Sequence, residues 1–191
     1  AKDVKLQLHF NPQQVAGYRL IGYENRLLAT EDFHDDTKDA GEMGAGHRVT
    51  ALYELIPTGQ SLPPLSKLDS ALVVVAEPDH SVKINANDLF VVQLRYKQPG
   101  GEAPSQLLEY RLNAAALDRR DESENFLLAS AVAEFGLLLR DSKFKGQASY
   151  GHALERARLA SRNDPGGYRK ELTDLVERAG RLAGSAAAGG K

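Results

Sequence analysis

The chain has 191 residues, of which 42% are hydrophobic and 26% charged, with a net charge of -2 and no cysteine. These are the proportions of an ordinary globular protein, long enough for one large domain or two small ones. They argue against nucleic acid as a main partner, which needs a concentrated basic surface, and they exclude disulfides, thiolate catalysis and thiolate metal sites.

No apolar run approaches the roughly 20 residues that cross a bilayer. The longest, Phe126 to Leu139, is broken by Ser130 and Glu134. Direct membrane insertion by this piece is therefore not expected. The sequence starts at Ala1 and enters almost at once into a strand pattern, so it reads as part of a longer protein.

Val4, Leu6, Leu8 and Phe10 alternate with Lys5, Gln7 and His9. A period of two predicts a half-buried strand, with His9 exposed on its polar face. Asn11-Pro12 predicts the turn that ends it. A second strand is expected over Gly17 to Glu24, with Tyr18 and Tyr23 half-buried and Gly22 marking a bulge or a close approach.

An acidic loop follows, in which Glu31, Asp32, Asp35, Asp36, Asp39 and Glu42 face a single Lys38. So many carboxylates offer oxygen ligands for a hard cation, and Asp35, Asp36, Asp39 and Glu42 are the candidate calcium ligands. The EF-hand spacing is absent, because Lys38 intrudes and the acids do not alternate. A solvated turn is the simpler reading. His34 lacks a clear second histidine for a metal site. Gly41 and Gly46 have phosphate-loop spacing, but His47 and Arg48 stand where Lys and Ser or Thr belong. A strand pattern from Val49 to Ile56 follows instead of a helix. Those glycines read as a sharp turn into that strand.

Pro57 to Leu65 reads as an extended loop, and Leu72 to Ala76 as a short buried strand. Asp79, His80 and Ser81 show no nucleophile-elbow context. The clearest hairpin pairs Phe90 to Lys97 with Leu107 to Leu112 across Gln98 to Ser105. Arg95 and Arg111 near Glu109 are expected to be surface cross-strand charges.

The pattern changes near Ala114. Asp121 with Glu124 predicts a capped helix start. Phe126 to Leu139 predicts a helix buried on several faces, with Gly136 admitting a close neighbour. Ser149 or Ala148 opens a second helix to about Ser161. Asp164-Pro165 restarts a third, with apolar steps at Tyr168, Leu172, Leu175, Val176, Ala179 and Leu182. Arg156, Arg158, Arg162, Arg169 and Lys170 form a mildly basic cluster that reads as a solvated helical face, with a surface for an acidic partner as the sharper alternative. No internal repeat is visible.

The chain resembles the C-terminal region of bacterial von Willebrand factor type A domain proteins, often exported lipoproteins. The resemblance rests on Tyr18-Arg-Leu-Ile-Gly-Tyr-Glu-Asn-Arg26, Asp39-Ala-Gly-Glu42 and Gly44-Ala-Gly-His47. It continues through Val49-Thr-Ala-Leu-Tyr-Glu54, Leu94-Arg-Tyr-Lys97, Phe135-Gly-Leu-Leu-Leu-Arg-Asp-Ser142 and Tyr150. It spans roughly Ala1 to Leu182. It implies an upstream adhesion domain carrying the Asp-x-Ser-x-Ser metal site. That site is absent here, since Asp121-Glu-Ser123-Glu-Asn125 lacks the second serine. The implied role is a non-enzymatic interaction or scaffold module, anchored in the cell envelope through an upstream lipoprotein signal. Its implied partners are that upstream domain and other envelope proteins. The alternatives are a small calcium-binding domain using residues 31–42 and, more weakly, an envelope hydrolase. Calcium is the one cofactor the residues suggest.

The expected fold is α+β: a mostly antiparallel β-sandwich-like sheet followed by a C-terminal helical layer of about three helices. Residues 1–115 are expected to be β-rich, and 116–183 helical and packed on them as one structural unit. Residues 184–191 are expected to form a flexible tail.

Overall fold

The computed structural model describes residues 1–22, 30–60, 74–75, 82–100, 103–118 and 122–188. The chain divides into two compact units, Ala1–Arg119 and Arg120–Lys191, close to the expected change of character. The α+β expectation holds, with strands in two antiparallel sheets followed by three helices.

In the first unit the strands are β1 (Lys2–Phe10), β2 (Val15–Ile21), β3 (Leu52–Pro57), β4 (Val74–Val75), β5 (Asp88–Lys97) and β6 (Gln106–Asn113). One sheet has the order β1-β5-β6 and the other β3-β2-β4. The core cluster draws on both. Leu8, Phe10, Leu89, Phe90 and Leu112 come from the first sheet, and Val15, Tyr18, Tyr53 and Leu55 from the second. The rings of Phe10 and Tyr18 lie 4.1 Å apart by centroid, and those of Phe10 and Tyr53 5.8 Å. Aromatic pairs at such distances add to the area they bury.

Asn11 makes the corner that carries the chain from one sheet to the other. Its side-chain Nδ2 donates to the carbonyls of Asp88 (2.7 Å), Asn85 and Ala86 (both 3.3 Å). Its Oδ1 accepts from the Gln13 amide at 3.0 Å, and its carbonyl accepts from Gln14 and Val15. A short amide side chain that satisfies several backbone groups is what a buried corner requires.

Several expectations change. His9 is buried rather than exposed, as are Lys5 and Gln93 on the same face, whereas Leu6 is 43% exposed. On β1 and β5 the polar face is largely withdrawn from solvent, and the acidic segment folds back over its Lys5 and Arg95 end. Phe33, at the end of the 3-10 turn Thr30–Phe33, is only 1% exposed. β3 starts at Leu52, and Val49 is open to solvent. β2 ends at Ile21, where Gly22 takes a positive φ of 74° that favours glycine. Tyr23 and most of the Leu72 to Ala76 stretch lie outside the described residues. The hairpin forms as expected, with Gln93 opposite Glu109 and Leu94 opposite Leu108.

The second unit holds α1 (Glu124–Leu139), α2 (Tyr150–Ala160) and α3 (Tyr168–Ala188). The α1 cap is Ser123 rather than Asp121, with its Oγ accepting from the Phe126 amide at 3.2 Å. Ser149 caps α2 in the same way, through the His152 amide at 3.1 Å. Asp164 lies before α3 and accepts from the Lys170 amide at 2.9 Å. A side-chain acceptor at a helix start satisfies an otherwise unpaired amide. α3 runs on through Gly184 to Ala188, where the sequence pattern suggested a tail. Its last residues are mostly alanine, the best helix former.

Ala153, Ala157 and Ala160 form a fully buried stripe on α2. α2 packs against both α1 and α3. Small side chains at this spacing share one face and let helices approach closely. α1 is not buried on several faces: Phe126, Val132 and Leu139 are exposed, and Leu127, Ala131 and Leu137 are its buried residues. Nothing stands within 4 Å of a Cβ built on Gly136. The close approach is instead at Gly180, against Tyr150.

Candidate functional site

The most concentrated chemistry lies where the acidic segment crosses the polar face of β1-β5-β6. Lys5, on β1, donates its Nζ to the carbonyl of Asp32 at 3.2 Å and to that of Asp35. Its ammonium is thus held by backbone carbonyls, which suits a cation withdrawn from water. Arg95, on β5, lies over the Phe33 ring with 5.7 Å from Cζ to centroid, and its Nη2 meets His34 Nδ1 at 3.3 Å. Its Nη1 donates to Ser105 Oγ at 2.7 Å. Arg95 is therefore not an ordinary surface charge: the segment that covers this face encloses it.

Asp36 latches the segment to the hairpin. Its Oδ1 accepts from Ser105 Oγ at 2.6 Å, and its Oδ2 from the Ser105 amide at 3.1 Å. Arg95 Nη1 stands 3.8 Å from Oδ1. The Ser105 hydroxyl and amide, with help from Lys97 and Arg95, hold the Asp36 carboxyl below the usual carboxylate range. Lys97 donates to the Asp36 carbonyl at 2.8 Å and pairs with Asp3 at 2.7 Å. That pairing lowers the Asp3 pKa and raises that of Lys97.

The four candidate metal ligands have different surroundings. Asp35 Oδ1 accepts from the Thr37 amide (2.9 Å) and hydroxyl (2.7 Å), which lower its pKa. Asp36 binds Ser105. Asp39 is exposed and acts on Asp3 and Lys97, and Glu42 is exposed. Among the described residues, no three His, Cys, Asp or Glu side chains are grouped to hold a metal ion. His34 faces Arg95. The glycine segment turns at Gly44 to His47, with 3.2 Å from the His47 amide to the Gly44 carbonyl. No helix follows it.

A second polar line runs beneath the same face, and the sequence reading missed it. His9 Nε2 meets Gln93 Oε1 at 3.3 Å, and Gln93 Nε2 donates to Glu109 Oε2 at 3.1 Å. Arg111 then bridges Glu109 (2.6 Å) and Asp88 (3.1 Å). Hydrogen bonds from Gln93 and Arg111 lower the Glu109 pKa, and the Asn85 amide leads the lowering of Asp88. The available signal was Phe33, a large apolar side chain inside an acidic loop, which must bury itself somewhere.

The candidate basic surface divides in two. Arg169 is a structural tie: its Nη1 donates to the Ala160 carbonyl at 2.6 Å and reaches Glu124 at 3.4 Å, and its Nη2 donates to Asn125 at 3.0 Å. It is held inside the helical unit, in contrast to the expected open surface. Arg156 lies 3.9 Å from Glu134, and Arg158 3.9 Å from Glu177. Arg156 is half-buried, whereas Arg158 and Arg162 are exposed. Asp79, His80 and Ser81 lie outside the described residues.

The chain is similar to the protein described as Uncharacterized protein YfbK of Escherichia coli strain K12, with 38% identity over 179 residues. That match takes in 93% of this chain but only 29% of the relative, so the chain spans under a third of that protein's length. No solved structure matches it. The family described as Uncharacterized protein YfbK, C-terminal, matches residues 1–182, and the chain belongs to that family.

Proposed function

We propose that the chain is a non-enzymatic interaction module that accompanies an upstream von Willebrand factor type A domain in an exported, envelope-anchored bacterial protein. The observation that carries this reading is the pair of coverages. Nearly all of this chain aligns to less than a third of a longer relative, and its family is described as the C-terminal part. A C-terminal unit of a longer protein is a natural partner for the domain before it. The residue blocks from Tyr18 to Tyr150 given above supply the kind of domain. The half-buried Arg156 and the exposed Arg158 and Arg162 are the surface proposed for an acidic partner.

The test is a calorimetric titration of this chain into the upstream domain of the same gene product, with magnesium and with chelator. Saturable heat in either state supports the reading. No heat in both states overturns it, as does a full-length sequence lacking the Asp-x-Ser-x-Ser motif.

A further inference from the structure

We propose that β6 is a self-pairing edge. Two copies of this chain would join antiparallel through β6, centred on Tyr110, so that two three-stranded sheets become one of six strands.

The two edges of the sheet β1-β5-β6 are treated differently. The start of the β1 edge, Ala1 to Val4, is closed by the chain itself. Val4 forms an antiparallel bridge with Gly41, and its amide donates to the Gly41 carbonyl at 2.7 Å. The Ala1 amino group and the Met43 carbonyl meet at 2.8 Å, and the Met43 amide donates back to Ala1 at 2.9 Å. The register also slips between Lys2 and Lys5, and Asp3 takes a φ of 50°, which bends that edge. Bulges and covering segments are how proteins stop an edge from recruiting another strand.

Among the described residues no segment covers the β6 edge, no strand pairs with its outer side, and the one register shift of the β5–β6 ladder lies at its far end, between Asp88 and Phe90. The strand reads Gln-Leu-Leu-Glu-Tyr-Arg-Leu-Asn, with no lysine and no proline. Leu107, Leu108 and Tyr110 are 45%, 54% and 65% exposed, so the edge shows apolar side chains on both faces, with Glu109 and Arg111 beside Leu107. An unpaired strand of this kind is a template for β-strand addition.

The occupant follows from charge and register. In an antiparallel pair, directly opposed side chains share a face. Pairing centred on Tyr110 places Glu109 opposite Arg111 of the partner subunit, and Leu108 opposite Leu112 of the partner subunit. Each chain's own Glu109–Arg111 pair, at 2.6 Å, then alternates with its symmetry mate in a four-charge cluster. Centring on Glu109 or on Arg111 would oppose like charges. Opposed like charges destabilise a sheet, so the strand's own sequence selects the Tyr110 register. The isologous contact closes as a dimer instead of propagating.

The absence of cysteine gives a clean test of register. Across the proposed two-fold, residues at position 110 face each other at a separation a disulfide can span. Residues at position 108 stand roughly 13 Å apart, beyond a disulfide's reach. Under mild oxidation, Tyr110→Cys is expected to form a covalent dimer while Leu108→Cys stays monomeric. By sedimentation equilibrium the unmodified chain is expected to self-associate, and Leu108→Lys to weaken that association at least about tenfold. Both positions are exposed, and unchanged circular dichroism establishes that the variants fold. If Leu108→Lys does not fold, the cysteine pair alone decides. Equal crosslinking at both positions overturns the proposal. So does a chain that remains monomeric at its highest soluble concentration, even if it binds the upstream domain.

Discussion

Arg19 and Glu54 stand directly opposite each other on β2 and β3, and Nε and Nη2 of the arginine both donate to Oε2 of the glutamate, at 3.0 and 2.5 Å. The arginine side chain is 7% exposed and the glutamate 54%. The pair is therefore lopsided: the cation is withdrawn from water, while the anion remains half in it. Removing the anion leaves a buried cation without its carboxylate, and partial solvation moderates the loss. Glu54→Ala is expected to lower the unfolding free energy by about 1–2 kcal/mol. A double-mutant cycle with Arg19→Met, followed by urea denaturation, isolates the pair. A coupling energy near zero would remove its stabilising role.

The acidic segment gives the fold a defined acid sensitivity. Asp3, Asp35 and Asp36 all have pKa values lowered by the hydrogen bonds they accept. A lowered folded-state pKa means that the carboxylate stabilises the fold fully above its unfolded value, near about pH 4. That contribution is lost as the pH falls through the lower folded value. Stability is thus expected to fall as the pH drops below about 4 and to change little from there to neutrality on account of these groups. Asp36→Asn should lower stability at neutral pH and flatten the acid limb, as followed by urea titrations at stepped pH. An unchanged limb would show that the Ser105 latch contributes nothing. With Asp35 and Asp36 occupied by Thr37 and Ser105, millimolar calcium is expected to move the melting temperature by less than about 1 °C.

The strand pattern was legible where one face of a strand is apolar and the turn chemistry is unambiguous, as in the β5–β6 hairpin and the Asn11 corner. It failed at β1, whose polar face is buried. Alternation reports which residues are apolar, and it cannot tell that Lys5 finds backbone carbonyls in a loop some thirty residues away. The same long-range partnership hid the role of Asp36, since Ser105 lies 69 positions along the chain. In the helical unit the apolar composition of α1 suggested burial on several faces, although composition does not say how many neighbours exist. Arg169 was readable as a charge but not as a tie, because its acceptors come from two other segments.

Arg169 stands at the start of α3 and donates to the last residue of α2 and to Asn125 at the start of α1. A guanidinium near a helix C-terminus also meets the negative end of the helix dipole. Arg169→Ala is expected to cost about 1.5–3 kcal/mol, the range for hydrogen bonds to a charged group. Arg169→Lys should recover only part of that, because one ammonium cannot reproduce a planar fork aimed at separate acceptors. Loss of helical circular dichroism against urea measures both. Full recovery by lysine would make charge alone sufficient and discount the fork geometry.

Gly136 and Gly180 are both helical glycines, yet the structure predicts opposite outcomes when each becomes alanine. A Cβ at Gly136 meets nothing within 4 Å, so Gly136→Ala should gain most of the helix-propensity difference, about 0.8–1 kcal/mol. A Cβ at Gly180 would lie 3.1 Å from the Cβ of Tyr150, tighter than ordinary contact. That atom is bound directly to the α2 backbone, so the clash cannot be relieved by rotating the ring alone. The ring is in turn held edge-on to Phe135, with centroids 6.3 Å apart. Gly180→Ala must therefore push α2 and α3 apart, and interiors resist such shifts at a typical cost of about 1–3 kcal/mol. The propensity gain is expected to be cancelled or outweighed, leaving Gly180→Ala less stable than Gly136→Ala by at least about 1 kcal/mol. Tyr150→Ala does not remove the Cβ, so it should not rescue Gly180→Ala fully, whereas Tyr150→Gly should relieve the contact. Equal melting gains for the two single alanine variants would show that the α2–α3 contact yields freely.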